Sequence, residues 1–155
     1  MKWSDQSSSK TPLRPEPEVV HICIIDADPI FSRQLGERLA GELPKMVNIV
    51  GMYDGIPDVL EVPYEVSLVI FDPELDDFRR LSEAISRMRE SFGQEVHLAV
   101  HGDFWTEKDN QLKRDLQNLD IWYGFRRYDF RRCIKLVTKI AMGEPVQLWH
   151  LEFIS

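Results

Sequence analysis

The chain has 155 residues, 43% of them apolar and 29% charged, which is the balance of one soluble globular domain with a sizeable core. Its formal net charge of −7 excludes general attraction to nucleic acid or to an anionic membrane, though not a local basic face. No apolar run approaches the ~18 residues of a membrane span, and the polar N-terminus has no apolar signal core, so a cytoplasmic protein is expected.

The opening "MKWSDQSSSKTPLRPEPE", residues 1–18, is rich in Ser, Pro and charge and reads as a disordered leader. From Val19 the pattern alternates. "VVHICIID" is an apolar run of strand length without polar alternation, so both of its faces should be buried. The next stretch, "DPIFSRQLGERLAGEL", places Ile30, Phe31, Leu35, Leu39 and Leu43 at helical spacing. Asp28 is its N-cap, with Pro29 at the first helical position. "VNIVGMY" is a second strand, and "DGIPDVLEVPY" has room for only a short helix. "VSLVIFD" is a third buried strand ending at Asp72, where Pro73 favours extended geometry.

Phe78, Leu81, Ala84, Ile85, Met88 and Phe92 form the apolar stripe of the clearest helix, closed by Gly93. "VHLAVHG" is a fourth strand. "FWTEKDNQLKRDLQN" is a polar helix with Leu112 and Leu116 inward. "DIWYGF" is a fifth strand, and the last helix turns Phe130, Cys133, Ile134, Val137 and Ala141 inward and stops at Gly143. Cys23 and Cys133 both sit in apolar surroundings and read as core thiols of a reducing compartment. Five strands alternating with five helices predict an α/β fold: a flavodoxin-like (βα)5, doubly wound, five-stranded parallel sheet in three α/β/α layers over residues 19–143. In such folds sites lie at the carboxyl ends of strands. Asp26 and Asp28 follow strand one, Asp72 ends strand three, His101 ends strand four, and Arg126 and Arg127 follow strand five. Acids and a base converging there would make a cation or phosphate site.

The residues at these strand ends resemble the receiver domain of bacterial response regulators, over roughly Val20 to Gly143. "CIIDADP" resembles the family's first-strand acidic motif, with Asp26 on the first acid, Ala27 on the second and Asp28 on the third. "SLVIFDPEL" resembles the third-strand motif and puts Asp72 on the phosphoacceptor. "HLAVHG" puts His101 where the family has Thr or Ser. "WYGFRRY" puts Tyr123 on the switching aromatic, Arg126 on the lysine and Arg127 on the usual proline. The resemblance implies a Mg2+ site built from Asp26, Asp28 and Asp72, weakened by Ala27, so no cofactor is required. His101 is expected to hydrogen-bond Asp72 and freeze one state, with His101, Tyr123 and Arg126 as the switch equivalents.

Two functional expectations follow. The leading one is a non-enzymatic signal-transduction module, receiver-like, with phosphorylation impaired or lost, acting by contact with a protein partner or a second copy. The alternative is a response regulator phosphorylated on Asp72 by a histidine kinase. A nucleotide-binding flavodoxin-like protein or small enzyme is disfavoured because no Gly-rich loop follows strand one. The contact surface is expected on Arg131, Arg132, Lys135 and Lys139 of the last helix, and on Trp149 and Phe153 of an apolar extension over residues 144–155 that docks on the domain or on a partner. Direct nucleic-acid binding is not expected, because the sequence has neither a helix-turn-helix nor an aromatic–basic stacking motif.

Overall fold

The computed structural model describes residues 18–62, 65–102, 110–121 and 123–144. In chain order these form β1 (Val20–Ile25), α1 (Pro29–Glu42), β2 (Val47–Tyr53), β3 (Leu68–Phe71), α2 (Leu81–Phe92), β4 (His97–Gly102), α3 (Asn110–Asn118), β5 (Tyr123–Arg126) and α4 (Phe130–Ala141). Short 3-10 turns lie at Val59–Glu61 and Asp76–Phe78. The strands pair in parallel in the order β2-β1-β3-β4-β5. The chain therefore winds outward from β1 in both directions, and the reversal of strand order falls between β1 and β3.

The unalternated run of β1 is explained by burial on both faces. Cys23 and Ile25 join a core with Ala84, Ile85, Met88 and Phe92 of α2 and Leu116 of α3. Val20, Ile22 and Ile24 join the opposite core with Phe31, Leu35 and Leu39 of α1 and Cys133, Leu136 and Val137 of α4. The expected three-layer sandwich is thus present, with α1 and α4 on one face and α2 and α3 on the other.

Local signals account for the boundaries. The Asp28 side chain accepts from the Ile30 amide at 2.9 Å, and Pro29 opens α1. Gly36 lets α1 close on β2: a Cβ there would meet the Met52 methyl at 2.7 Å. Gly93, at φ 109°, ends α2. Asp129 caps α4, accepting from the Arg132 amide at 3.3 Å.

Some elements differ from the sequence expectation. The short helix between β2 and β3 is only a 3-10 turn. Helix α2 starts at Leu81 rather than before Phe78, whose ring instead stacks on Phe71 at 4.7 Å and is buried by that contact. Ile30 is 58% exposed, because the inward stripe of α1 runs through Phe31, Leu35 and Leu39. On α4, Leu136 is buried and Ile134 only half-buried. The expectations for residues 1–17, for the start of the fourth helix at 104–109 and for 145–155 lie outside the described residues. No described helix is long and apolar enough to cross a membrane. Both cysteines are free and buried, and burial pushes the Cys23 thiol up to about 12.

Candidate functional site

Strand pleating decides which polar residues meet, since side chains two apart share a face. In β1, Val20, Ile22 and Ile24 face the α1/α4 core, and Asp26 continues that row. In β3 the same row holds Leu68 and Ile70 and runs on to Asp72. In β4 it holds Ala99 and reaches His101, whose ring packs on Phe31 of α1. In β5 it holds Phe125 and continues to Arg127. The Arg127 amide donates to the Gly102 carbonyl at 3.1 Å, carrying the ladder one residue past β5. These four side chains converge at the carboxyl rim, on the α1/α4 side.

Asp26 is the centre of the group and only 4% exposed. Its Oδ1 accepts from the Asp28 amide at 2.7 Å and from Arg127 Nη2 at 3.1 Å. Its Oδ2 accepts from Arg127 Nη1 at 3.0 Å. The pair is a two-pronged guanidinium–carboxylate contact, the geometry in which arginine binds a carboxylate best. His101 Nε2 lies 3.1 Å from the same Oδ2. The approach is short but bent, so neither ring nitrogen of this wholly buried histidine makes a well-aligned hydrogen bond.

Burial alone would push the Asp26 carboxyl up. The contacts from His101, Arg127 and the Asp28 amide outweigh it and hold Asp26 at about 2, against an ordinary 3.8. Partial burial disfavours the charge on Arg127, but Asp26 outweighs that and raises its pKa.

An aromatic floor supports both partners of Asp26. The Phe31 ring stacks on His101 with centroids 4.5 Å apart, and the Arg127 guanidinium sits 4.2 Å above the Phe31 centroid. Tyr128 meets Phe31 edge-on at 5.3 Å. The guanidinium also lies 3.8 Å from Asp28 Oδ2 and 3.9 Å from Asp72 Oδ2. One cation therefore serves carboxylates from the ends of two strands. Asp72 is more accessible than Asp26, their side chains 18% and 2% exposed, and Asp28 is more open than either at 44%. The Asp72 Oδ1 accepts from the Glu74 amide at 2.9 Å.

This arrangement does not fit Mg2+ as the acids stand. Both oxygens of Asp26 are already engaged, and a guanidinium lies between it and the other two carboxylates. Among the described residues no group of three or more His, Cys, Asp or Glu has the geometry to hold a metal. Beside the site, a cleft of about 540 Å³ is lined by Asp26, Ala27, Pro29, Ser32, Met52, Tyr53 and Asp54.

Several expected partnerships are re-sorted. His101 meets Asp26, not Asp72, because Asp26 is the acid buried beneath Arg127. Arg126 is exposed, while Arg127 enters the pocket, since only Arg127 shares the face of Phe125. Tyr123 pairs with Ala99, two residues short of His101, and among the described residues the ring it meets is His97, at 6.4 Å. The aromatic of β5 that meets His101 is Phe125, at 6.0 Å. Of the basic residues on α4, Arg131 and Lys135 are exposed; Arg132 and Lys139 are half-buried, and Lys139 pairs with Glu144 at 3.4 Å. Trp149 and Phe153 lie outside the described residues.

No protein-family model and no curated protein matches this sequence. Solved structures do. The RcsB response regulator of Salmonella typhimurium superposes with a TM-score of 0.62 at 15% identity, covering 82% of this chain and 62% of that one. The pilus assembly protein CpaE of Caulobacter crescentus gives 0.60 at 17% identity, covering 81% and 96%. A chain from the complex of the CheA3 P1 domain with CheY6 of R. sphaeroides gives 0.52 at 11%, covering 71% and 83%. The chain thus spans about three fifths of the RcsB chain, and at these identities the likeness is one of fold. Strand order, layer arrangement and these neighbours together give the chain a receiver-like, flavodoxin-like α/β fold.

Proposed function

We propose that this chain is a receiver-like regulatory domain of two-component type that acts by contacting protein partners and is not switched by phosphorylation. The observation that carries the reading is the engagement of both Asp26 oxygens by Arg127, with His101 packed behind. A receiver-type pocket needs its first acid free to recruit a cation. Here a covalently attached cation holds it, and removing that cation would leave a buried, uncompensated carboxylate. The neighbours support the signalling context: one is a response regulator, and another comes from a complex between the CheA3 P1 domain and CheY6. The exposed Arg131 and Lys135 on α4 offer a basic contact face for an acidic protein surface, which need not be a second copy.

The second reading, phosphorylation on Asp72, is favoured by one observation. Asp72 lies at the strand-order reversal, is partly exposed, and among the described residues one of its carboxylate oxygens is met only by Arg127, at 3.9 Å. Incubation with Mg2+ and a small phosphodonor, read by intact mass, separates the two. Unchanged mass supports the contact module. A phosphoryl adduct that disappears in Asp72→Asn would establish the phosphoacceptor instead.

A further inference from the structure

The cleft of about 540 Å³ opens on the β2 side of β1, between the first turn of α1 and the end of β2, and its described lining excludes Asp72. The ends of β1 and β2 are pinned there by the Asp26 amide, which donates to the Tyr53 carbonyl at 2.9 Å. Ala27 follows with only a methyl group and leaves the space open. Tyr53 is a fixed wall, because its hydroxyl donates to the Glu61 carbonyl at 3.1 Å. Pro29 and Met52 complete the apolar lining.

Two polar groups of this lining are not used by the fold. Ser32 is 2% exposed, and its Oγ has no partner among the described residues. A serine inside a helix commonly returns its hydroxyl to the carbonyl four residues back, and a buried hydroxyl left alone costs stability. Met52 covers this part of α1: its methyl stands 2.7 Å from where a Cβ on Gly36, one turn on, would be. Met52 is 44% exposed, and its unbranched thioether can turn aside. Asp54 is exposed and makes no hydrogen bond or ion pair among the described residues. Asp26 differs, since Arg127 already holds both of its oxygens, so it supplies wall rather than ligand. The free charge of the cleft is therefore the Asp54 carboxylate, with no lysine or arginine in the described lining.

We propose that this cleft binds a small organic amine: its ammonium on Asp54, its apolar body along Pro29, Met52 and the Tyr53 ring, and a hydroxyl on Ser32 once Met52 turns aside. The volume lies within the ~300–1,000 Å³ of small-molecule sites, which likewise pair apolar walls with a few polar groups. Because Asp72 stands outside the cleft, amine binding is independent of phosphoryl transfer.

The test is titration of tyramine, phenethylamine and 3-(4-hydroxyphenyl)propionate into the full chain, read by amide NMR shifts, for the wild type, Asp54→Asn and Ser32→Ala. Tyramine should saturate with a Kd of order 1 mM or tighter and shift the amides of Ala27, Ser32, Tyr53 and Asp54. The propionate has the same body and the opposite charge, and should bind at least ~10-fold more weakly. Asp54→Asn, at an exposed position, should weaken tyramine by about 5- to 10-fold. In wild type tyramine should bind about 3- to 10-fold tighter than phenethylamine, which lacks the hydroxyl, and Ser32→Ala should abolish that difference. The unliganded Ser32→Ala protein should keep or raise its Tm, since it loses an unpartnered hydroxyl. No saturation below ~10 mM, equal binding of the amine and the carboxylate, an unchanged Kd in Asp54→Asn, or a tyramine preference that survives Ser32→Ala would each overturn the site. None of these outcomes touches the contact-module reading, which falls only to phosphoryl transfer.

Discussion

Replacing Asp26 with Asn probes the site through its dependence on pH. Asp26 is held at about 2, against an ordinary 3.8, by contacts that exist only in the folded chain. A depressed carboxylate contributes stability that is fully present above the unfolded value and is lost as pH falls through the folded one. The difference, at about 1.4 kcal/mol per unit, is about 2.5 kcal/mol, of which ~1 kcal/mol is gone by pH 3. Urea unfolding of the wild type and Asp26→Asn should be compared at pH 7, 5, 4 and 3. At pH 7 the variant should be less stable by about 2–4 kcal/mol, because Arg127 loses its partner and the amide cannot accept through both atoms. The low end is favoured because the Arg127 side chain retains 16% exposure and can be rehydrated. Between pH 5 and pH 3 the gap should narrow by ~1 kcal/mol as the wild type alone loses the Asp26 contribution. Carboxylates that do not meet Arg127 titrate alike in both proteins and cancel. Parallel curves over that range would refute the claim that folding depresses Asp26.

Further outcomes follow from the packing of the site and of the core. Arg126→Ala should change urea stability by no more than about 0.5 kcal/mol, whereas Arg127→Ala should cost about 2–4 kcal/mol; equal effects would show that the two arginines are not sorted by strand face. Phe31→Ala removes a wholly buried ring and the floor under His101 and Arg127, and should cost about 3–5 kcal/mol by the same assay. A double-mutant cycle of Phe31 with Arg127 should show coupling of about 0.5–2 kcal/mol, and simple additivity would contradict the stacking. Burial pushes the Cys23 thiol up to about 12, and burial with Asp129 nearby raises Cys133 further. Neither thiol should react with an alkylating reagent at pH 8 in the native protein, and both should react in urea; rapid native labelling would contradict the packed core.

The fold was legible because each signal was local and physical. An unalternated "VHICII" means two covered faces, and both are covered. Asp28–Pro29 is a helix start in any context, and Asp28 caps α1 as that predicts. The strand-end acids were legible too, since Asp26 and Asp72 reach one rim. Their partners were harder to read. The resemblance assigned the pocket cation to Arg126 by motif position, but a one-residue choice at a strand end is a choice of face. The deciding signal was already present in the sequence: Phe125 is the large apolar residue of β5, it must face a core, and Arg127 is the cation two residues on. Motif position points His101 at Asp72, whereas the depth of the two acids below the rim depends on where Arg127 lies, and that is a tertiary fact. By its spacing Phe31 is ordinary helix core. Its second role, under a histidine from β4 and an arginine after β5, involves residues 70 and 96 positions away and leaves no local trace.

Everything at the site turns on Arg127 being fixed on both oxygens of Asp26. The most direct measurement is the nitrogen-edited NMR spectrum of the arginine side chains, with Arg127 assigned by its loss in Arg127→Lys. A two-pronged contact to a buried carboxylate slows rotation of the guanidinium and shields its protons from exchange. Arg127 should show separate, slowly exchanging Hη resonances at neutral pH, collapsing to an averaged signal in Asp26→Asn. An Arg127 already averaged in the wild type, like an exposed arginine, would contradict the two-pronged contact.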